Sequence, residues 1–163
     1  MIMVKSKYLE TIYDEKQKPF SEYPKQLIEY LIKKAGLFEN QKIIELGCGR
    51  GDFIIEFKKK GLKAYGVDIS DYSQKFFPDL NFKKVDFENE KTPFANETFD
   101  VVYSKSFIEH FYYPEKIFEE AHRILKPGGK IITLTPEWKY IYKSFYEIYS
   151  QSSIYKRVSQ INT

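Results

Sequence analysis

Residues 42–51 read KIIELGCGRG, and this stretch decides the fold of the chain. Its first half, residues 42–46, is a short apolar run typical of a buried strand. Its second half carries Gly47, Gly49 and Gly51, and glycine permits positive φ and lets a ligand touch the backbone because it has no Cβ. A helical pattern then runs from residue 52 to residue 60. This order predicts a strand, a cofactor-binding loop and a helix, although an ordinary tight strand–helix turn would use the same glycines.

Helical and extended patterns alternate along the chain. The periodicity predicts helices over residues 21–35, 52–60 and 114–126, a short helix after residue 71, and another over residues 137–149. Short apolar runs predict strands over residues 42–46, 63–67, 81–85, 99–103 and 130–134, the last of them after a KPGG turn. Strands separated by helices form a parallel sheet with helices on both faces, so the predicted fold class is α/β.

Polar side chains follow the predicted strands where each strand ends. Asp68 ends the second strand, Asp86 ends the third, and Ser104 follows the fourth. Ligands of parallel sheets bind at this carboxyl edge, near the point where strand order reverses. Asp68 could accept both hydroxyls of a ribose, and Asp86 with the adjacent Phe87 could hold an adenine. Asp68 could equally cap a helix, so the indication of a nucleoside site comes from the three strand ends together.

The spacing of the glycines indicates which nucleotide cofactor would fit. Dinucleotide-binding loops read G-x-G-x-x-G and bring a helix N-terminus to a pyrophosphate. Here Asp52 stands where the third glycine of that pattern would be. Because a carboxylate repels a pyrophosphate, a cofactor without phosphate is favoured over a nicotinamide dinucleotide.

Five segments resemble, in order, the motifs of class I S-adenosylmethionine-dependent methyltransferases. They are IIELGCGRGDF, AYGVDIS, VDF, FDVVYSKSFIEHF and ILKPGGKIITLTPEW. The resemblance implies a Rossmann-like parallel sheet of strand order 3-2-1-4-5 and S-adenosylmethionine as the cofactor. Two further strands usually follow in this family, but the residues after 137 predict no strand, so the chain is expected to lack them.

The resemblance also implies which residues contact the cofactor. The residues expected at its methionine and ribose part are Glu45, Gly47, Gly49 and Gly51. Asp68 is expected at the ribose hydroxyls, and Asp86 and Phe87 are expected at the adenine. The adjacent Ile69 is also expected to contact the cofactor. Ser104 is expected beside the methionine, and no metal site is expected.

Methyl transfer from a sulfonium has a neutral leaving group, so alignment of the reactants supplies most of the acceleration. A general base is needed only for an acceptor that is protonated at neutral pH. His110, just after the fourth strand, is the candidate for this base, although a structural role for it is the simpler interpretation. His122 is interpreted as a surface or packing residue, and Cys48 as a small loop residue without a nucleophilic role.

The composition of the chain indicates which classes of partner and which location to expect. The net charge of +3 does not favour nucleic acid as a partner, and no apolar run is long enough for a membrane span, which needs about 18 residues. A single cysteine fits a reducing compartment, and the N-terminus has no apolar signal region, so the expected location is cytoplasmic. The expected partner is a small-molecule methyl acceptor.

The chain is expected to form a single domain over residues 1–163. Residues 1–20 are predicted to be an aromatic arm or lid, residues 21–136 the cofactor-binding core, and residues 137–163 a helix and tail. If no strand follows the fifth, its open edge is expected to be covered by that helix or by a second subunit in a homodimer. The alternative to an enzyme is a degenerate cofactor-binding domain that serves as a partner subunit.

Overall fold

The computed structural model describes residues 19–135 of the 163-residue chain. Within this range five parallel strands form one sheet in the order β3-β2-β1-β4-β5. The strands are β1 (Lys42–Leu46), β2 (Lys63–Asp68), β3 (Asn81–Lys84), β4 (Phe99–Lys105) and β5 (Leu125–Leu134). The helices are α1 (Tyr23–Ala35), α2 (Ile54–Lys59) and α3 (Pro114–Ile124), with 3₁₀ turns at Tyr72–Lys75 and Ile108–His110. The predicted α/β fold class and strand order 3-2-1-4-5 are confirmed.

Helices cover both faces of the sheet because apolar side chains alternate along its central strands. Ile43 and Val101 belong to one buried cluster, which includes side chains of α1 and α2. Their chain neighbours Ile44 and Val102 belong to the other cluster, which includes side chains of α3. Since successive side chains of a strand point to opposite faces, two cores form on one sheet and hold its strand ends in a fixed arrangement.

The helices are shorter than the sequence predicts. Helix α1 begins at Tyr23 instead of residue 21, with Pro24 in its first turn, and ends before Gly36, whose φ of 58° caps it. Helix α2 covers residues 54–59 of the predicted 52–60. Helix α3 ends at Ile124 and not at Lys126, because Pro127 disfavours the helical conformation for the residue before it.

The fifth strand begins earlier than predicted. Leu125 already pairs with Phe99, and after an irregularity Lys130 pairs with Val101. The segment KPGG is therefore a bulge between two paired stretches of β5, where the prediction placed a turn before the strand. Residues 136–163 lie outside the described residues, and so do residues 1–18. The C-terminal helix, the absence of further strands, the lid and the covered β5 edge stay predictions.

A buried carboxylate ties the loop before β4 to helix α3. Glu120 accepts hydrogen bonds from the N–H and hydroxyl of Thr92 at 2.8 and 2.6 Å, and from the Arg123 guanidinium at 2.7 Å. Burial acts to raise the pKa of Glu120, but the hydrogen bonds from Arg123 and Thr92 outweigh it and hold the pKa below its usual value. The charged form of Glu120 therefore stabilises the fold.

Glu120→Gln imitates the protonated carboxyl and should lower the free energy of unfolding at pH 7. A carboxyl whose pKa is depressed in the folded state contributes stability above its unfolded pKa of about 4.3, and this contribution is lost as pH falls through the folded pKa. The difference between wild type and Glu120→Gln should therefore shrink from pH 7 towards pH 3. Urea unfolding across this range tests it, with the exposed neighbour Glu119→Gln as the control. A difference that does not depend on pH would contradict the prediction.

Candidate cofactor site

The loop between β1 and α2 is built on three left-handed glycines. Gly47, Gly49 and Gly51 have φ values of 72°, 51° and 92°. An L-residue with a Cβ is strained in this region, and glycine is not. The sequence pattern of alternate glycines is thus a direct requirement of the backbone path at the carboxyl end of β1.

Four N–H groups of this loop donate hydrogen bonds to acceptors within the protein. Those of Gly47 and Cys48 both bind the carbonyl of Val67, at 2.9 and 3.1 Å. The N–H of Gly51 binds the carbonyl of Cys48 at 2.8 Å, and that of Gly49 binds a carboxylate oxygen of Asp68 at 2.9 Å. A phosphate site needs N–H groups that point at the ligand. These four do not meet that need.

Asp68 joins the end of β2 to the glycine loop. One carboxylate oxygen accepts from Gly49 and the other accepts from the N–H of Ser70 at 3.0 Å. Burial raises the pKa of Asp68 above its usual value, against the hydrogen bonds from the backbone of Ser70, Gly49 and Ile69. Each carboxylate oxygen has lone pairs left for a second donor, so a ribose diol can bind without breaking the loop contact.

Glu45 lies below the loop, on β1, with a side chain that is almost fully buried. Burial raises its pKa well above the usual value, and the nearby carboxylates of Asp52 and Asp68 act in the same direction. Its Oε2 atom has no hydrogen-bond partner among residues 19–135. Buried carboxyls with strongly shifted pKa values cluster at functional sites, so Glu45 adds to the evidence for a site at this edge.

Arg50 is a loop residue whose role the sequence analysis missed. Its side chain is only 1% exposed, and its guanidinium donates two hydrogen bonds of 2.7 and 2.6 Å to Asp52. The ring of Phe20 lies over it, 4.0 Å from the guanidinium carbon to the ring centroid. The charge of Asp52 is therefore paired with Arg50, and the exclusion of a pyrophosphate rests on the occupied N–H groups more than on Asp52. An arginine between two of the glycines, two residues before an aspartate, was the available signal.

The carboxyl ends of β1, β2 and β4 meet above these residues. Leu46 pairs with Val67 on one side and with Ser104 on the other. This is the point where strand order reverses, since β2 and β4 flank β1. The described residues thus bring a glycine loop, a buried aspartate and Ser104 to the position where ligands of such sheets bind.

Comparison with known proteins agrees with this geometry. Residues 44–133, more than half of the chain, match the family model described as a methyltransferase domain. The chain belongs to this methyltransferase family. The resemblance to class I S-adenosylmethionine-dependent methyltransferases, predicted from the motifs, is confirmed.

Individual relatives match part of their length. The sterol 4-C-methyltransferase of Caenorhabditis elegans is 32% identical over 66% of this chain and 35% of its own. A ubiquinone biosynthesis O-methyltransferase of Nitrosococcus oceani is 25% identical over 72% of this chain and 52% of its own. The chain therefore spans about a third to a half of the length of these curated relatives.

A solved structure shares the fold. A Methanococcus maripaludis protein, assigned as an S-adenosylmethionine-dependent methyltransferase, superposes with a TM-score of 0.69. It is 20% identical, and the match covers 96% of this chain and 78% of that one. At this identity the likeness shows the Rossmann-like fold and no more.

The remaining predicted residues lie around the same edge. Ser104 is buried, and its hydroxyl donates to that of Thr133 at 3.3 Å. Ile69 is half-buried beside Asp68, and His110 is exposed in the 3₁₀ turn after β4. Each of these placements is compatible with the predicted role, and the roles themselves stay predictions.

Asp86 lies two residues beyond the end of β3 and organises a turn. Its two carboxylate oxygens accept from the N–H of Glu88 at 3.1 Å and from the amide of Asn89 at 3.0 Å. Phe87 is buried beside it. This turn is a local structural role for Asp86 that the sequence analysis did not propose, and the predicted contact with adenine remains a second role to be tested.

Cys48 fits the predicted structural role. It is buried, and burial raises the pKa of its thiol well above the usual value, with the carboxylates of Asp68 and Glu45 adding to the effect. A thiol that keeps its proton is a poor nucleophile. Its sulfur lies against Gly66, where an added Cβ would come within 2.9 Å.

A cleft of about 730 Å³ borders the loop on its outer side. Phe20, Phe76 and Phe77 line it together with Asp52 and residues of α1 and α2. Ser104, Asp68 and Asp86 are not among its lining residues, so this cleft is separate from the strand ends.

Phe107 is a second residue that the sequence analysis missed. An ideal Cβ on Gly47 would lie 2.0 Å from Cδ2 and 2.5 Å from Cγ of the Phe107 ring, so the ring packs directly on the glycine backbone. Gly47 is therefore required both for its positive φ and for the space that Phe107 occupies. The aromatic residue in the motif FDVVYSKSFIEHF was visible in the sequence, but its contact with a loop 60 residues earlier was not.

Gly47→Ala should destabilise the protein more than Gly128→Ala does. Both glycines have positive φ, 72° and 78°, so both alanines are strained. Only the Cβ at position 47 would clash, because nothing lies within 4 Å of a Cβ at position 128. Overpacking of this kind costs about 1–3 kcal/mol, which is the expected excess in the free energy of unfolding. Equal losses in urea unfolding would show that Phe107 does not press on Gly47.

Proposed function

We propose that this chain transfers a methyl group from S-adenosylmethionine to a small-molecule acceptor. The glycine loop carries this proposal, because four of its N–H groups are donated within the protein beside the buried carboxylate of Asp68. Such a loop suits a cofactor that has a ribose and no phosphate. Family membership supports the same reaction class.

The described residues would bind and orient such a cofactor. Asp68 would accept hydrogen bonds from the ribose hydroxyls, and the loop of Gly47, Gly49 and Gly51 would lie beside the methionine and ribose part. Asp86 and Phe87 would hold the adenine, and Glu45, Ile69 and Ser104 would lie along the methionine and ribose part. When bound, S-adenosylmethionine supplies a methyl group on a positively charged sulfur. The protein's main contribution is to hold nucleophile, methyl carbon and sulfur in line.

His110 is the proposed general base for an acceptor that is protonated at neutral pH. It is exposed and lies in the 3₁₀ turn that follows β4. A nitrogen of the imidazole ring can accept a proton from such an acceptor.

A small molecule is the proposed class of acceptor. The names of two relatives specify a sterol and a step of ubiquinone biosynthesis. The net charge of this chain, +3, offers little electrostatic attraction for nucleic acid. Among the described residues no helix is long and apolar enough to cross a membrane. A cytoplasmic location is part of the proposal, and so is a homodimer that covers the open edge of β5.

The alternative is a cofactor-binding domain without catalysis that serves as a partner subunit. It would share the loop and Asp68, and it would differ only in turnover. A methyl-transfer assay with pooled metabolites separates the two, because the alternative predicts cofactor binding without a methylated product.

Calorimetric titration should show binding of S-adenosylhomocysteine and no binding of NAD. The reason is that four N–H groups of the glycine loop already donate within the protein and cannot bind the pyrophosphate of NAD. The two titrations use the same protein and ligand concentrations up to the high micromolar range. Binding of NAD in place of S-adenosylhomocysteine would refute the proposed cofactor.

Asp68→Asn should weaken binding of S-adenosylhomocysteine by about 1–3 kcal/mol, the value of a hydrogen bond to a charged acceptor. The exposed neighbour Asp71→Asn is the matched control and should leave affinity unchanged. Because Asp68 also accepts from Gly49, the melting temperature of each variant is recorded, and titrations are run well below it. Equal affinity of wild type and Asp68→Asn would exclude Asp68 from the ribose site.

A further inference from the structure

The ring of Phe107 occupies a central position at the carboxyl edge of the sheet. It packs on the backbone of Gly47, and it also contacts Phe87 at a centroid distance of 5.3 Å. Gly47 belongs to the proposed methionine and ribose end of the cofactor site, whereas Phe87 belongs to the adenine end. Phe107 therefore lies along the stretch between these two ends.

An unusual backbone conformation directs Phe107 to this place. Ser106, the preceding residue, has a φ of 50°, in the region that residues with a Cβ seldom adopt. Its N–H binds the carbonyl of Leu134 at 2.8 Å, which anchors the bend to β5. Unfavourable conformations of this kind persist where surrounding contacts impose them, and they cluster at functional sites.

Neighbouring rings hold Phe107 in a defined orientation. Phe87 and Phe111 both contact it edge to face, at interplanar angles of 69° and 67°. The centroid distance to Phe111 is 4.8 Å. Phe107 is nevertheless only half-buried, as is Gly47 beneath it. A fixed ring with exposed surface beside the glycine loop can contact a ligand that binds there.

We propose that Phe107 is a specificity residue that distinguishes the positively charged S-adenosylmethionine from its neutral product, S-adenosylhomocysteine. The sulfonium of the cofactor lies between its methionine and ribose parts, which is the end of the site where Phe107 meets Gly47. An aromatic face attracts a cation through its quadrupole, and this attraction is lost when the methyl group has left and the sulfur is neutral. Phe107 thereby favours release of product over release of substrate.

This inference rests on the proposed function, and its test must separate the effect of Phe107 from that of nearby carboxylates. The carboxylates of Glu45 and Asp68 would attract a cation from any part of the site, so a preference for the charged cofactor alone does not identify Phe107. The role of Phe107 is therefore tested by the ratio of the dissociation constants of the two ligands. This ratio should change when an aliphatic side chain replaces the aromatic ring.

Calorimetric titration of wild type, Phe107→Leu, Phe107→Tyr and Phe94→Leu with both ligands tests the inference. Phe107→Leu should weaken binding of S-adenosylmethionine by about threefold to thirtyfold, the range expected for a cation over an aromatic ring, and should change binding of S-adenosylhomocysteine by less than about twofold. Phe107→Tyr keeps the ring and should retain the wild-type ratio. Phe94→Leu removes another half-buried ring, which packs against Tyr65 and Phe99, and it should leave the ratio unchanged.

Two kinds of result would contradict the inference, and they can be told apart. Equal weakening of both ligands by Phe107→Leu, or no weakening of either, would overturn the role of Phe107 while leaving the proposed function intact. Failure of the wild type to bind either ligand would overturn the proposed function and this inference together. If Phe107→Leu does not fold, Phe107→Met is titrated in its place, with the same criteria.

Discussion

The carboxylate of Asp68 accepts the N–H of Gly49 at 2.9 Å, across the ends of two adjacent parallel strands. The carbonyl of the neighbouring Val67 accepts hydrogen bonds from the N–H groups of Gly47 and Cys48. Together these bonds fix the path of the loop after β1 against the end of β2. These three N–H groups of the loop are therefore not available to a ligand. The proposed choice of a phosphate-free cofactor follows from this arrangement, since a pyrophosphate site requires donors that point outward.

Burial of acidic side chains gives the site its electrostatic character. Glu45 and Asp68 are both almost fully buried, and burial raises the pKa of each. A positively charged ligand would reverse part of that effect by stabilising their ionised forms. Asp52 does not share this role to the same extent, because the guanidinium of Arg50 is bonded to it. Because the side chain of Arg50 is buried and paired with Asp52, Arg50 is a structural part of the loop.

Local patterns in the chain were sufficient for the α/β fold class, and the resemblance of five motifs to a known family implied the strand order. The central strands β1 and β4 were located to within two residues, because each of them buries a short apolar run. The ends of elements were predicted less well. Helix α3 was predicted two residues too long, up to Lys126 just before Pro127, and the start of β5 was missed because the pairing of Leu125 with Phe99 joins residues far apart in sequence.

The sequence alone determined that glycines at 47, 49 and 51 and acidic residues at the strand ends belong together, since parallel strands bring their carboxyl ends to one edge. Only the tertiary structure decided what each of them contacts. That Asp68 binds Gly49, that Arg50 neutralises Asp52, that Asp86 organises its own turn and that Phe107 packs on Gly47 are results of side-chain packing. Such contacts depend on distances between residues that are remote in the chain, and periodicity and spacing carry no record of those distances.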